Sequence, residues 1–253
     1  MKKDLKYITE KKLADFPITM ITAYDFPSGQ AMDEAGIDCV LVGDSVGTNY
    51  LGLSNEREVT IADMLHHTSA VRRGVRNAFL IADLPFGCAD TVESALANSR
   101  FLIEKGADCV KIEGWSEKAE IVNNLVNNGC VVCAHIGYNP QIHNKPAVFG
   151  KDKDQAEDLL NSASVLAEAG ASLIVLEKVP AELAEKISNN LKIPTIGIGS
   201  GNGCDGQVLV INDLLGLSPK LFKHVRRFAN LRQTMLEAFK EYKRAVENRE
   251  FPA

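Results

Sequence analysis

The run Val110-Lys111-Ile112-Glu113-Gly114 places a lysine and a carboxylate two residues apart inside an apolar stretch. In a strand, side chains alternate faces, so Lys111 and Glu113 share one side while Val110 and Ile112 take the other. Left without partners in a buried strand, each charge would cost several kcal/mol, so each other, a metal or an anionic ligand must satisfy them. Other ionisable groups stand at comparable places. Asp44 and Ser45 end one apolar run, Asp83 lies near the end of the next, His135 and Glu177 near the ends of two more. Any one of these suits a cap or an internal ion pair; as a set they point to a site.

Asp44, Asp83 and Glu113 supply carboxylate oxygens with no sulfur alongside, a donor set for a hard cation such as Mg²⁺. Mg²⁺ accepts only one or two carboxylates directly and keeps waters, so not all three are expected to ligate it. Zinc is disfavoured, because His135 is the only histidine placed among these groups. A metal with open positions, flanked by Lys111, Ser45 and His135, would bind a 2-oxo acid through its carboxylate and keto oxygens. That chelation stabilises the enolate formed when a neighbouring carbon loses a proton. Glu177 is the remaining carboxylate, next to Lys178 at the end of an apolar run. Its partly apolar setting raises a carboxyl pKa toward the range useful to a base.

The elements that must position these groups recur along the chain. Apolar, β-branched runs span Pro17 to Tyr24, Cys39 to Asp44, Ala78 to Pro85, Cys109 to Gly114, Val131 to Gly137, Leu173 to Val179, Pro194 to Ser200 and Val208 to Leu214. Such runs read as strands covered on both faces, hence a parallel sheet. Between them, Pro27 to Ala35, Ile61 to Arg73, Thr91 to Lys105, Glu117 to Asn127, Asp154 to Ala169 and Ala181 to Asn190 carry apolar residues at helical spacing. Gly36, Gly106 and Gly170 follow three of these segments at the expected C-cap position. Strand–helix units repeated in a chain of 253 residues predict a (β/α)8 TIM barrel, an α/β fold in which chemistry sits at the C-terminal ends of the strands. The connection between the last two strands is too short for a normal helix. The tail after Pro219 reads as helical, ending in the charged stretch Glu237 to Arg249, and no Ser/Pro-rich linker divides residues 1–253, so a single domain is expected.

A net charge of −5 without long like-sign blocks argues against nucleic acid and against a polybasic membrane patch, and favours a small-molecule partner. The N-terminus lacks a signal peptide pattern and no run is long enough to span a membrane, so a cytoplasmic protein is expected. The six cysteines sit mostly in apolar runs, where a thiol acts as a small hydrophobe, and the Cys130/Cys133 pair in a strand would face opposite ways. His66, His67 and His224 read as surface or core residues, and His143 lies in the loop after the fifth strand. Gly201-x-Gly203-x-x-Gly206 matches a dinucleotide pattern by letter but precedes a strand, not a helix, and Gly197-Ile-Gly-Ser-Gly201 reads as a tight turn after the seventh strand.

At this point the chain resembles the ketopantoate hydroxymethyltransferase family. The matching segments are Met20-Ile-Thr-Ala-Tyr-Asp25, Val42-Gly-Asp-Ser-Val-Gly47, His67-Thr-Ser-Ala-Val-Arg-Arg-Gly74, Ala82-Asp-Leu-Pro-Phe86, Val110-Lys-Ile-Glu-Gly114, Cys133-Ala-His-Ile-Gly137, Val175-Leu-Glu-Lys-Val-Pro180, Pro194-Thr-Ile-Gly-Ile-Gly199 and Asp205-Gly-Gln-Val-Leu-Val210. The resemblance implies a Mg²⁺-dependent barrel that takes a hydroxymethyl group from 5,10-methylenetetrahydrofolate to 3-methyl-2-oxobutanoate (2-oxoisovalerate), giving 2-dehydropantoate in pantothenate biosynthesis. It also implies a homo-oligomer, a decamer. Carried over by position, Asp44 and Asp83 are metal ligands that also meet substrate, with Glu113 beside the metal. Ser45 and Lys111 hold the substrate, His135 lies near it, and Glu177 accepts the proton. Two departures stand out. The family's Gly-Gly-aromatic-x-Val-Gln-Gly-basic segment after the fifth strand is reduced to Ala147-Val148-Phe149-Gly150-Lys151, and Trp115 stands where the family generally has glycine. The first predicts enolate chemistry intact but one-carbon transfer slow. The competing enzyme reading is a Mg²⁺-dependent carbon–carbon lyase or mutase of the isocitrate lyase and phosphoenolpyruvate mutase kind, although no Lys-Lys-Cys-Gly-His lyase loop is present. A non-enzymatic barrel would be favoured only if these carboxylates were lost.

Overall fold

The computed structural model describes residues 2–143, 145–218 and 225–252, so Pro219 and His224 lie outside the described residues. It divides into two compact units, Met1–Val208 and Leu209–Ala253. In chain order the elements are α1 (Leu5–Leu13), β1 (Ile18–Thr22), α2 (Phe26–Glu34), β2 (Cys39–Val42), α3 (Ile61–Gly74), β3 (Phe79–Asp83), α4 (Val92–Glu104), β4 (Cys109–Glu113), α5 (Ala119–Asn127), β5 (Val132–Gly137), α6 (Lys153–Glu168), β6 (Leu173–Glu177), α7 (Ala181–Asn190), β7 (Thr195–Ile198), β8 (Gly206–Leu209), α8 (Ile211–Leu214) and α9 (Leu231–Glu247). The strands pair in sequence order into a closed barrel, and each neighbouring pair from β1 through β8 is parallel. This is the expected (β/α)8 barrel.

Local sequence sets the helix boundaries. Thr60 with Asp63 and Thr91 with Ser94 form reciprocal caps that start α3 and α4, while Asp25 and Asp152 cap α2 and α6. Gly36, Gly106 and Gly170 stop their helices with φ of +79°, +104° and +103°, a conformation that costs glycine no Cβ clash.

The register decides what shares the interior. Asp83 pairs with Lys111, Glu113 with His135 and Gly137 with Glu177, which brings the functional candidates of neighbouring strands to similar heights. Two to four residues toward the strand starts, the same inward face is apolar. Cys39, Phe79, Cys109, Cys133 and Leu173 belong to the buried floor, and all three thiols there are free and fully buried.

β8 differs from expectation. It runs over Gly206–Leu209 rather than Val208 to Leu214, and the end of that apolar run becomes the single turn α8. The N–H groups of Asp213 and Leu214 both donate to the Val210 carbonyl, which pulls the chain out of extended geometry. Gly206 can enter the strand because its backbone approaches β1 so closely that a Cβ would lie 2.5 Å from the Ile18 carbonyl oxygen. Residues 199–205, joining β7 to β8, contain no helix, as their length predicts. In the second unit, the N–H of Phe228 donates to Leu214 O at 2.8 Å, and α9 covers much of the expected charged tail. Among the described residues no helix is long and apolar enough to cross a membrane.

Candidate active site

The candidate residues meet at the C-terminal mouth of the barrel. Lys111 Nζ lies 3.0 Å from Glu113 Oε1 and 3.1 Å from Asp83 Oδ1, so the same-face lysine and glutamate do pair, and a third group joins them. The Asp83 contact lacks hydrogen-bond geometry, and Oδ1 is left without a hydrogen-bond partner. The Asp44 N–H donates to the other oxygen of Asp83 at 3.0 Å. One oxygen each of Asp44, Asp83 and Glu113 lie within 4.8 Å of one another, and all three residues are buried.

Charge is unbalanced here: three carboxylates face one ammonium. Burial, then the neighbouring Glu113 and Asp83, push the Asp44 carboxyl well above its ordinary range, against the pull of Lys111 and Gln141. Burial also raises Asp83, although Lys111 opposes it. Glu113 goes the other way, because Lys111 and His135 outweigh its burial and hold it ionised. For Lys111 burial alone would favour the neutral amine, but Asp83, Glu113 and Asp44 overcome this and keep the ammonium. A buried, oxygen-only cluster of three carboxylates against one ammonium fits a hard divalent cation.

His135 orients by its neighbours. Its Nδ1 lies 2.9 Å from Glu113 Oε1 and 3.4 Å from Lys111 Nζ; the shorter contact to an acceptor assigns the proton to Nδ1, donated to Glu113. Nε2 then keeps its lone pair, has no hydrogen-bond partner, and faces Glu177 Oε2 at 3.5 Å. Burial raises the Glu177 carboxyl to about 7, tempered by His135 and Lys178.

Ser45 is reached through hydroxyls that the sequence reading missed. Thr22 Oγ1 donates to Tyr24 Oη at 3.0 Å, and Tyr24 Oη lies 2.8 Å from Ser45 Oγ. Either hydroxyl can donate in the Tyr24–Ser45 pair; with the phenol as donor, the serine proton is free for an acceptor at the mouth. Gln141 was missed too. Its Nε2 donates to Asp44 Oδ2 at 2.7 Å and to the Leu84 carbonyl at 3.1 Å. The tract Tyr24-Asp25 belonged to a recognised segment, so Tyr24 had a signal; Gln141 lies in a loop with no periodicity to mark it. His143 contacts its own loop, with its ring 4.3 Å from that of Phe149 and its Nδ1 accepting from the Asn139 N–H. The two departures from the family pattern touch: Trp115 packs edge-on against Phe149 at 6.0 Å, and the Phe149 N–H donates to the Lys178 carbonyl.

Comparison with known proteins gives a consistent result. The model of the family described as ketopantoate hydroxymethyltransferase matches residues 2–253. The 3-methyl-2-oxobutanoate hydroxymethyltransferase of Thermotoga neapolitana is 47% identical over 241 residues, covering 93% of this chain and 89% of that protein. The protein of the same name from Enterococcus faecalis is 44% identical over 258 aligned positions, covering 100% and 94%. Among solved structures, a phosphonopyruvate hydrolase complex with oxalate and Mg²⁺ superposes with a TM-score of 0.68 at 12% identity, over 100% of this chain and 90% of that one. A 2,3-dimethylmalate lyase gives 0.66 at 14%, with the same coverage. At such identities the structural likeness shows a shared barrel fold.

Proposed function

The chain belongs to the ketopantoate hydroxymethyltransferase family, and from that premise we propose that it moves a hydroxymethyl group from 5,10-methylenetetrahydrofolate to 3-methyl-2-oxobutanoate, giving 2-dehydropantoate for pantothenate biosynthesis. The observation that carries this reading is the convergence of the Asp44–Asp83–Glu113 cluster with Lys111 at the mouth where Glu177 also stands. Asp44 and Asp83, with Glu113 beside them, would hold Mg²⁺, which when bound would supply Lewis acidity toward the 2-oxo acid. The protein does the rest. Lys111 and Ser45 hold the substrate carboxylate, Ser45 with the proton that Tyr24 leaves free. Glu177 removes the C3 proton, and a carboxyl with pKa about 7 is matched to that task near neutrality. Protonated Glu177 then finds an acceptor in His135 Nε2, 3.5 Å away. The packed Trp115–Phe149 pair and the short segment after β5 bear on closure over the folate donor.

The same reading makes the protein a cytoplasmic homo-oligomer, a decamer, that engages neither nucleic acid nor membrane; sedimentation measures the assembly. Activity is tested by following 2-dehydropantoate formation and solvent-deuterium entry at C3 of 3-methyl-2-oxobutanoate in parallel, with and without Mg²⁺. The expected result is Mg²⁺-dependent exchange at C3 and slower hydroxymethyl transfer. Transfer as fast as exchange shows the shortened segment to be neutral. Absence of both reactions, with cleavage of a carbon–carbon bond in other 2-oxo acids, would instead favour the lyase reading.

A further inference from the structure

Gln141 touches more of the acidic cluster than any sequence pattern foretold. It is buried, on the loop that follows β5, and its side chain reaches across the mouth. One amide nitrogen serves two acceptors: Asp44 Oδ2 at 2.7 Å and the carbonyl of Leu84, the residue after Asp83, at 3.1 Å. Its backbone N–H donates to Asn139 Oδ1 at 3.0 Å and lies 3.5 Å from Glu113 Oε2. The loop is therefore in contact with two of the clustered carboxylates and with the backbone next to the third.

The chemistry of the amide suits a particular task. A lysine here would neutralise Asp44 and compete with a cation, whereas an amide donates a hydrogen bond while leaving the carboxylate its full charge. Holding Oδ2 restricts rotation of the carboxylate and leaves Oδ1 free of the Gln141 amide. Groups that orient a ligand in this way affect metal affinity without touching the ion. We propose that Gln141 is a positioning residue that presents the Asp44 carboxylate to the divalent cation and couples the loop after β5 to cation loading. This deepens the metal reading given above and rests on it.

The loop carries its own reporter. Phe149, near its far end, packs against Trp115, the only tryptophan in the chain. Cation loading that settles Gln141 is thus expected to change Trp115 fluorescence.

The test is calorimetric titration of the full-length protein with Mg²⁺ alone and with Mn²⁺ alone, without substrate, beside a fluorescence titration. Gln141→Leu keeps approximate size and removes the donor; it is expected to weaken both cations by about 10- to 100-fold and to abolish the fluorescence change. Gln141→Asn, shorter by one methylene, keeps the amide but cannot span both acceptors, and is expected to fall between. It also serves should the leucine variant fail to fold. Affinity of either variant within twofold of the unmodified protein overturns the proposal alone. Tighter binding overturns it as well, since the amide would then be a competitor of the cation. Failure of the unmodified protein to bind either cation overturns the metal reading and this one with it.

Discussion

Two aspartates bracket β2, and their surroundings are opposite. Asp38, just before the strand, is crowded by donors: Lys11 Nζ at 2.6 Å, the Thr19 N–H and hydroxyl and the Tyr7 hydroxyl at 2.9 Å each, and Lys3 Nζ at 3.5 Å. Although burial would raise it, these donors, Lys11 first, bring its carboxyl down to about 2. Asp44, just past the strand, has the Gln141 amide, and burial, reinforced by Glu113 and Asp83, pushes its carboxyl up. Both are buried. Burial alone therefore says little about a carboxylate's purpose. One whose lone pairs are saturated by cations and hydroxyls ties elements together, here α1 to β1 and β2. One hemmed in by its own kind is held at a cost in stability that a ligand can relieve. This matches the division of labour in such barrels, with stability at the strand starts and chemistry at the strand ends.

The widest separation between the two should come from paired neutral substitutions. Asp44→Asn is expected to reduce Mg²⁺-dependent turnover by roughly 10³-fold or more, with a melting temperature no lower than that of the unmodified protein. Asp38→Asn should lose about 3 kcal/mol of stability, the scale of breaking a buried, hydrogen-bonded ion pair, while kcat of the folded fraction stays unchanged. Thermal melts and assays below the transition read both, and an inactive but fully stable Asp38→Asn protein would erase the contrast.

Next in size is Glu177→Gln, which keeps shape but cannot take a proton. It should bind the 2-oxo acid as before and lose roughly 10²- to 10⁴-fold in C3 exchange. Unchanged deuterium entry would remove Glu177 as the base.

The two ends should also answer to pH in separate windows. Asp38 has a folded pKa of about 2 against 3.8 for the free group. The unfolded chain binds the proton first, so the stabilisation is fully present above about pH 4 and is lost as pH falls toward 2, amounting to about 2 kcal/mol. Glu177 works only when ionised, so exchange should climb with pH through about 7 and level off above it. Lys178→Met removes a cation 3.9 Å from Glu177 and should move that midpoint upward; an unmoved midpoint would assign the titration to another group.

The smallest effect belongs to Tyr24→Phe. Deleting one donor to Ser45 should raise the KM for the 2-oxo acid about fivefold, the worth of one hydrogen bond, with kcat nearly constant. In a Ser45→Ala background the same change should do nothing.

The barrel was legible because its cues are local. Each strand is a short apolar run, and several helices announce themselves by a capping threonine or aspartate and a stopping glycine. β8 was misplaced because Val208 to Ile211 is uninterruptedly apolar, and periodicity cannot tell the end of a buried strand from the first turn of a helix. α1 went unread, since its lysines and glutamate leave Ile8 as its one buried residue. At the mouth, Asp83, Lys111, Glu113, His135 and Glu177 were visible because strand alternation fixes where they face. Gln141 was not, because what brings it to Asp44 is a loop path across 97 residues of sequence separation, and nothing in the neighbouring residues records that path.

The floor of the barrel has a consequence of another kind. Cys39, Cys109 and Cys133 are wholly enclosed, whereas Cys88 and Cys204 are partly open to water. An alkylating reagent in solution reaches the second pair without unfolding, though burial raises the pKa of both thiols and slows them relative to a free cysteine, and it reaches the first three only when strands separate. Every sample of the protein thus carries a slow clock and a fast one. Their ratio counts how often the closed ring of strands comes apart under native conditions, long before any melting curve would register it.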